Sequence, residues 1–336
     1  MSHRHVPTRN RNALLWALLS FILLQLGTAL WIEFRSWRLR DPEYHTLATG
    51  FRKRLRVKPA EAKRIVMVGS SRTHNGLCAE LLERDVEASL AVPTVAYNFG
   101  TPGGGTLRSW ATVHRLLDEG PRPDYRFSYR ELRVLQDLGL PVQSYRRGVR
   151  AGWALPWHSY RLNVLNELAP SWLPVGNRWN KRKNHHGGWD PLWPEGITHA
   201  ARAHALSVTE AEQRGKLQTL EPGVAAVGLL RNTFERCASE QIPIMIVLMP
   251  EGATYRSFYG PGCWGRVVAL ARQLSQEYGA PLANARRWVE EDQFVDSTHL
   301  MAPGAIAFTE RLTREAVIPW ITQSLAASCL EARAKR

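Results

Sequence analysis

The chain predicts an α/β fold built on a mostly parallel sheet and preceded by one apolar helix long enough to cross a membrane. Three observations carry this. Apolar runs at 64–68, 93–98 and 243–249 alternate with stretches of helical period. Ser71, Gly103 and the pair Asp296 and His299 each fall just after a predicted strand, where sites in parallel sheets lie. Residues 13–32 carry no charge and would span about 30 Å as a helix. With 336 residues, 44% of them hydrophobic, the chain can bury a substantial core as one large domain with insertions or as two modest ones.

The N-terminal elements come first. Residues 1–12 carry Arg4, Arg9 and Arg11 and are expected to stay cytoplasmic. Residues 13–32 read as a transmembrane signal anchor, with Trp16 and Trp31 near the two interfaces. A cleaved signal peptide and a buried core helix are the alternatives, but no small-residue cleavage pattern follows the run. Residues 33–60 form a charged juxtamembrane connector, and everything beyond residue 32 is placed outside the cytoplasm.

The α/β domain is assigned to 61–320, with a tail at 321–336. Strand 64–68 leads to a helix over 77–88, whose Leu77, Leu81, Leu82 and Val86 make an apolar stripe. Strand 93–98 enters a glycine loop at 99–106, and a helix follows over 107–119. A third strand is expected next, yet the sequence after Asp124 is too polar for a buried parallel strand. It reads as a helix start capped by Ser128, with Glu131 at capping-box spacing. Residues 125–240 form an insertion. Its 150–200 stretch holds six of the 13 tryptophans, Trp153, Trp157, Trp172, Trp179, Trp189 and Trp193, and reads as irregular, while 208–240 reads as helical. Strand 243–249, a helix over 262–277, a short strand at 281–285 and a helix from Pro303 complete the order.

Composition excludes several functions. The net charge of +14 comes without zinc-finger spacing or a compact helix-turn-helix, so no nucleic-acid partner is expected. The basic residues are scattered, with clusters at 52–56 and 178–183. Cys78, Cys237, Cys263 and Cys329 show no C-x-x-C pair and read as buried free thiols, although pairing outside the cytoplasm stays open. Adjacent His185 and His186 lack further ligands, so neither a metal nor a cofactor is expected.

What remains is a pattern for acyl chemistry. Gly69-Ser70-Ser71-Arg72 follows a strand, and Asp296-Ser297-Thr298-His299 precedes a Pro-Gly turn. A serine hydroxyl is a weak nucleophile until an imidazole takes its proton, and a carboxylate fixes the imidazole's tautomer. Ser71 is the candidate nucleophile, His299 the base and Asp296 its orienting acid. Without one another they are a turn serine, a surface histidine and a helix cap.

These blocks resemble those of the SGNH (GDSL-like) hydrolase superfamily. Ser71 matches the nucleophile of the first block, with Ser70 in place of the usual acid. Gly103 matches the glycine of the second block, with Gly100 and Gly104 as substitutes. Asp296 to His299 matches the Asp-x-x-His block, and Leu300-Met301-Ala302-Pro303-Gly304 resembles the usual exit into the last helix. The resemblance covers 64–120 and 240–315. It implies a flavodoxin-like three-layer α/β/α fold and an oxyanion hole from the Ser71 and Gly103 N–H groups. Beside these blocks, Arg72, Asn98, Gly104 and Glu251 are the candidate substrate contacts, with Glu251 after a strand end where it could line the cleft. Arg72 could instead pair with a neighbouring acid, Asn98 could pin the glycine loop, and Glu251 could be a helix-start acid. The Gly-Ser-Ser variant is similar to membrane-anchored envelope relatives. The expected activity is therefore an esterase or O-acyltransferase acting on an acylated carbohydrate or lipid outside the cytoplasm. The Gly-x-Asn-Asp block after strand three is missing, and its asparagine would donate to the oxyanion. The strand that should carry it is not visible either, and that missing third strand supports the alternative expectation, an inactive membrane-tethered binding or assembly protein of the cell envelope.

Overall fold

The structure, a computed structural model, describes residues 8–34, 39, 41–118, 156–174 and 187–334. The proposed Ser128 cap, the basic cluster at 178–183, and His185 and His186 lie outside the described residues. The fold is mostly helical, with two small parallel sheets and one apolar N-terminal helix. The chain divides into two compact units, residues 1–45 with 119–180, and 46–118 with 181–336. The insertion expected at 125–240 is thus divided between them.

In the first unit, α1 (Thr8–Phe34) contains the stretch Arg11–Ile32, long and apolar enough to cross a membrane, a property it shares with signal sequences. Its side chains are exposed along most of its length, Leu14, Trp16 and Leu24 among them. Ile32 is buried with Leu39 and with Tyr160 and Val164 of a later helix, Pro156–Leu168, and Asn163 Nδ2 donates to Leu39 O at 2.6 Å.

In the second unit, β1 (Lys63–Met67) and β2 (Thr94–Asn98) pair in parallel, with Met67 opposite Asn98. β3 (Ile246–Leu248) and β4 (Leu282–Asn284) form the other parallel pair. The apolar run at 243–249 is longer than the strand it forms. Both sheets feed one core. Ile65, Met67, Ala96, Val247 and Ala283 pack with Leu77, Leu82, Phe294, Leu300, Phe308 and Leu312. On the opposite side of β3, Ile244 and Ile246 pack against Phe234, Leu274 and Ala280. This alternation is the period of two that a strand covered on both faces requires. Among the described residues no strand lies between β2 and β3.

The helices differ from the sequence reading in informative ways. A short helix, α2 (Ser71–Gly76), follows the β1 turn at once, so Ser71 is its first residue. The amphipathic helix expected at 77–88 is α3 (Ala79–Leu90). α4 (Thr106–Asp118) is anchored by Trp110, whose Nε1 donates to Asn232 Oδ1 at 2.7 Å. The helical stretch expected at 208–240 begins earlier and is broken. α5 (His199–Gln218) starts on the Thr198 cap, and α6 (Val224–Ser239) starts after Pro222 and Gly223. The last helix spans Ala302–Leu312, and after one π turn the chain stays helical to Ala334, through the segment read as a tail. Cys78, Cys237 and Cys263 are buried free thiols.

Two polar devices lock the β1–β2 end of this unit. Glu83 of α3 is 6% exposed. It accepts from Arg54 Nη2 at 2.8 Å and from the Ala96 N–H of β2 at 2.9 Å, and it pairs with Lys58 at 2.9 Å. Asn98, fully buried at the end of β2, donates to Thr73 O at 2.7 Å and Leu77 O at 2.8 Å and accepts from Gly100 N at 2.8 Å. One amide thereby fixes α2 and the glycine loop against each other. Asn98→Ala leaves the buried Leu77 carbonyl and the Gly100 N–H without that partner, while Thr73 O keeps the Leu77 N–H, and is expected to cost about 2–4 kcal/mol. A chemical-denaturation series on the full-length protein checks this.

Candidate active site

The Gly-Ser-Ser turn is shaped by close approach. A Cβ on Gly69 would stand 2.1 Å from the Thr73 hydroxyl, so a side chain there would push α2 off the end of β1. Ser70 caps α2, its Oγ accepting from Arg72 N at 3.4 Å, and Ser71 occupies the first helical position, where the N–H has no intrahelical acceptor.

The second block is held by a hairpin. Phe294 and Leu300 form an antiparallel bridge, and Val295 N donates to His299 O at 2.8 Å. Ser297 sits at its apex with φ of +67°, a left-handed conformation uncommon for serine. Its Oγ accepts from Tyr255 N at 2.9 Å and donates to Glu291 Oε2 at 3.2 Å, and its carbonyl accepts from Gly252 N at 2.8 Å. Those bonds hold the strained residue in place.

The hairpin brings the two distant blocks together. Ser71 Oγ lies 2.8 Å from His299 Nε2, across 228 positions of sequence. His299 Nδ1 lies 2.7 Å from Asp296 Oδ2. The carboxylate accepts a hydrogen bond from Nδ1–H, which favours the tautomer whose Nε2 lone pair faces the serine O–H. Asp296 Oδ1 accepts from His299 N at 2.8 Å, from Thr298 N at 3.0 Å and from Thr298 Oγ1 at 3.0 Å. Asp296 Oδ2 also accepts from Thr209 Oγ1 at 3.0 Å. Burial alone would raise the Asp296 carboxyl. The hydrogen bonds and charge of His299, with the backbone donors of His299 and Thr298, outweigh it and hold the group far below the usual carboxylate range.

The glycine loop separates its three candidates. The Gly100 N–H is committed to Asn98 Oδ1, and the Gly104 N–H to Thr101 O at 2.9 Å. The Gly103 N–H makes no hydrogen bond to another described residue, and Gly103 adopts a φ of +66°. Thr101 N donates to Gly69 O at 3.0 Å, tying this loop to the serine turn.

The substrate contacts expected at Asn98, Gly104, Arg72 and Glu251 find other employment. Asn98 pins the loop as described above, and Gly104 closes the turn on Thr101. Glu251 is 1% exposed and faces inward. It accepts from Arg286 Nε at 2.6 Å, Tyr259 Oη at 2.9 Å and Arg72 Nη1 at 3.1 Å. Arg72 is half-buried and also donates through Nη2 to Met249 O at 2.9 Å and Pro250 O at 2.7 Å. Its charge and donors fasten the Ser71 turn to the end of β3, and a buried carboxylate balances it.

Sequence reasoning missed Thr209, which lies mid-helix in a stretch with no motif, and the segment Gly187–Leu192. That segment crosses the edge of β2 and the flank of α2. Asn98 N donates to Gly187 O at 2.7 Å, Trp189 Nε1 to Asn75 O at 2.7 Å, Asn75 Nδ2 to Asp190 O at 2.8 Å, and Ala302 N to Leu192 O at 2.8 Å. Only its tryptophan content marked it in the sequence.

Among the described residues no group of three His, Cys, Asp or Glu side chains could hold a metal ion. The arrangement offers a hydroxyl poised on an imidazole that a buried carboxylate orients. No family model, curated protein or solved structure matches the chain.

The depressed Asp296 carboxyl links the site to stability. In the unfolded chain it ionises near pH 3.9. Its folded value is lower, so its contribution is fully present above that pH and is lost as pH falls toward the folded value. Asp296→Asn removes this dependence. Urea midpoints of the full-length protein are therefore expected to differ most between wild type and variant above about pH 5, with the difference shrinking progressively as pH falls below about 4.

Proposed function

We propose that this protein is a membrane-anchored SGNH-like serine esterase or O-acyltransferase that acts on an ester of an extracytoplasmic carbohydrate or lipid. The observation that carries the reading is the 2.8 Å approach of Ser71 Oγ to His299 Nε2, with Asp296 held 2.7 Å from the other ring nitrogen. A chance pairing of a surface histidine with a turn serine would not include a buried ionised carboxylate on its far side.

In the proposed reaction Ser71 Oγ attacks the ester carbonyl carbon as its proton passes to His299 Nε2. The negative charge on the carbonyl oxygen is met by the N–H groups of Ser71 and Gly103. The tetrahedral intermediate collapses, the C–O bond to the alcohol breaks, and the alkoxide takes the proton from His299. Water or a sugar hydroxyl then gives a proton to His299 and attacks the acyl carbon, the bond to Ser71 Oγ breaks, and Ser71 takes the proton back from His299. Asp296 stays ionised throughout and stabilises the imidazolium. With no asparagine in the third-block position, the oxyanion hole rests on two backbone donors.

The fold we propose is the flavodoxin-like three-layer α/β/α arrangement preceded by a transmembrane helix. Helical cover on both faces of β3, and the Arg72 bonds from the Ser71 turn to Met249 and Pro250, support one layer of strands. The uncharged stretch of α1, with its exposed leucines and with Arg9 and Arg11 at its start, supports a signal anchor that leaves residues 33–336 outside the cytoplasm.

Two experiments test the reading. A fluorophosphonate probe applied to the full-length protein in detergent is expected to label wild type. Labelling should fall at least about 10³-fold in His299→Ala and vanish in Ser71→Ala. A folded wild type that stays unlabelled would make the inactive-scaffold reading the better one. In intact cells, external protease is expected to digest the chain beyond residue 32 and to spare a tag on the N-terminus, whereas digestion of the tag would reverse the orientation.

A further inference from the structure

We infer that Thr209 is a positioning residue for the candidate site, holding Asp296 on His299 from the insertion helix α5. The inference rests on the reading of Ser71, His299 and Asp296 as the reacting assembly.

α5 is a 20-residue helix in which Thr209 and Leu217 are the buried residues. Along an isolated helix a threonine hydroxyl turns back to the carbonyl four residues earlier. Here Thr209 Oγ1 instead donates to Asp296 Oδ2 at 3.0 Å, a buried contact across 87 positions of sequence, and Thr209 is only 9% exposed. The accepting oxygen is the one that receives His299 Nδ1, whereas Oδ1 is occupied by Thr298 and His299 N.

The two oxygens therefore have different jobs. The donors on Oδ1 belong to Asp296's own hairpin and translate with it. Thr209 is the donor that comes from another element, and it adds a second bond to the oxygen that meets Nδ1. Without it, Oδ2 keeps His299 Nδ1 as its one donor, and nothing outside the hairpin holds that oxygen in place. α5 is further tied to the segment before the hairpin by Arg202 Nη2, which donates to Glu291 O, and to the turn at 257–260 by Gly260 N, which donates to Leu217 O at 3.1 Å. The insertion thus completes the relay behind His299.

The test is a mutant cycle on the full-length protein in detergent. Thr209→Val keeps the shape and removes the hydroxyl. It is expected to slow fluorophosphonate labelling about tenfold or more, and Thr209→Ser is expected to restore it to within about threefold. In an Asp296→Ala background, Thr209→Val should slow labelling no further. Equal slowing in both backgrounds, failure of serine to rescue, or a valine variant that labels like wild type would each overturn the positioning role. The second readout needs no activity. The far-downfield proton resonance of His299 Nδ1–H should shift or broaden in Thr209→Val and return in Thr209→Ser. An unlabelled wild type would sink the nucleophile reading alone. An unchanged resonance, or none in wild type, would sink the positioning role.

Discussion

A buried carboxylate that stays ionised must be surrounded by donors, and at Asp296 this requirement organises the structure around it. The backbone donors of Thr298 and His299 follow Ser297, which takes a left-handed conformation in the turn that brings them to Asp296. That conformation is in turn held by Tyr255 N, Glu291 and Gly252. Thr209 brings in α5, and His299 brings in Ser71 across the core. A single desolvated charge thus sets the backbone of the hairpin, the seat of an insertion helix and the tautomer of the histidine.

Glu251 is the second buried carboxylate, and it shows how similar chemistry serves structure. Its partners Arg72, Arg286 and Tyr259 satisfy it completely, and Arg286 lies 3.8 Å over the Trp264 ring. Burial and the Glu251 charge push the Tyr259 phenol well up, so it remains a donor. Because Arg72 follows Ser71 directly, this cluster fixes the Ser71 turn on one side. Asn98 fixes it on the other by binding the carbonyls of Thr73 and Leu77. The serine is held between two buried polar anchors, the preorganisation that the proposed reaction would need.

The Trp-rich insertion contributes to this same order. Its Gly187–Leu192 segment lies along β2 and α2, with Trp189 in the main core and its indole N–H on Asn75. The segment covers a strand edge that would otherwise expose unpaired backbone groups. His74 of α2 faces Asp190 at 3.5 Å, a further contact between the two.

The sequence by itself determined the local features. Apolar runs gave β1, β2 and β3, the leucine stripe gave α3, and the uncharged stretch gave α1, because period and hydrophobicity are written within a few neighbouring residues. Spacing also singled out Ser71, Asp296 and His299, since the aspartate and histidine occupy one hairpin. The sequence left open whether Arg72, Asn98 and Glu251 face substrate or the interior. A residue at a strand end can point either way, and the choice depends on partners scores of residues distant. Thr209, the Arg72–Glu251–Arg286 cluster and the Gly187–Leu192 strap were decided by tertiary structure. Each is a hydrogen bond or ion pair between atoms that only the packed core brings within reach, and such contacts leave no periodic trace in the chain.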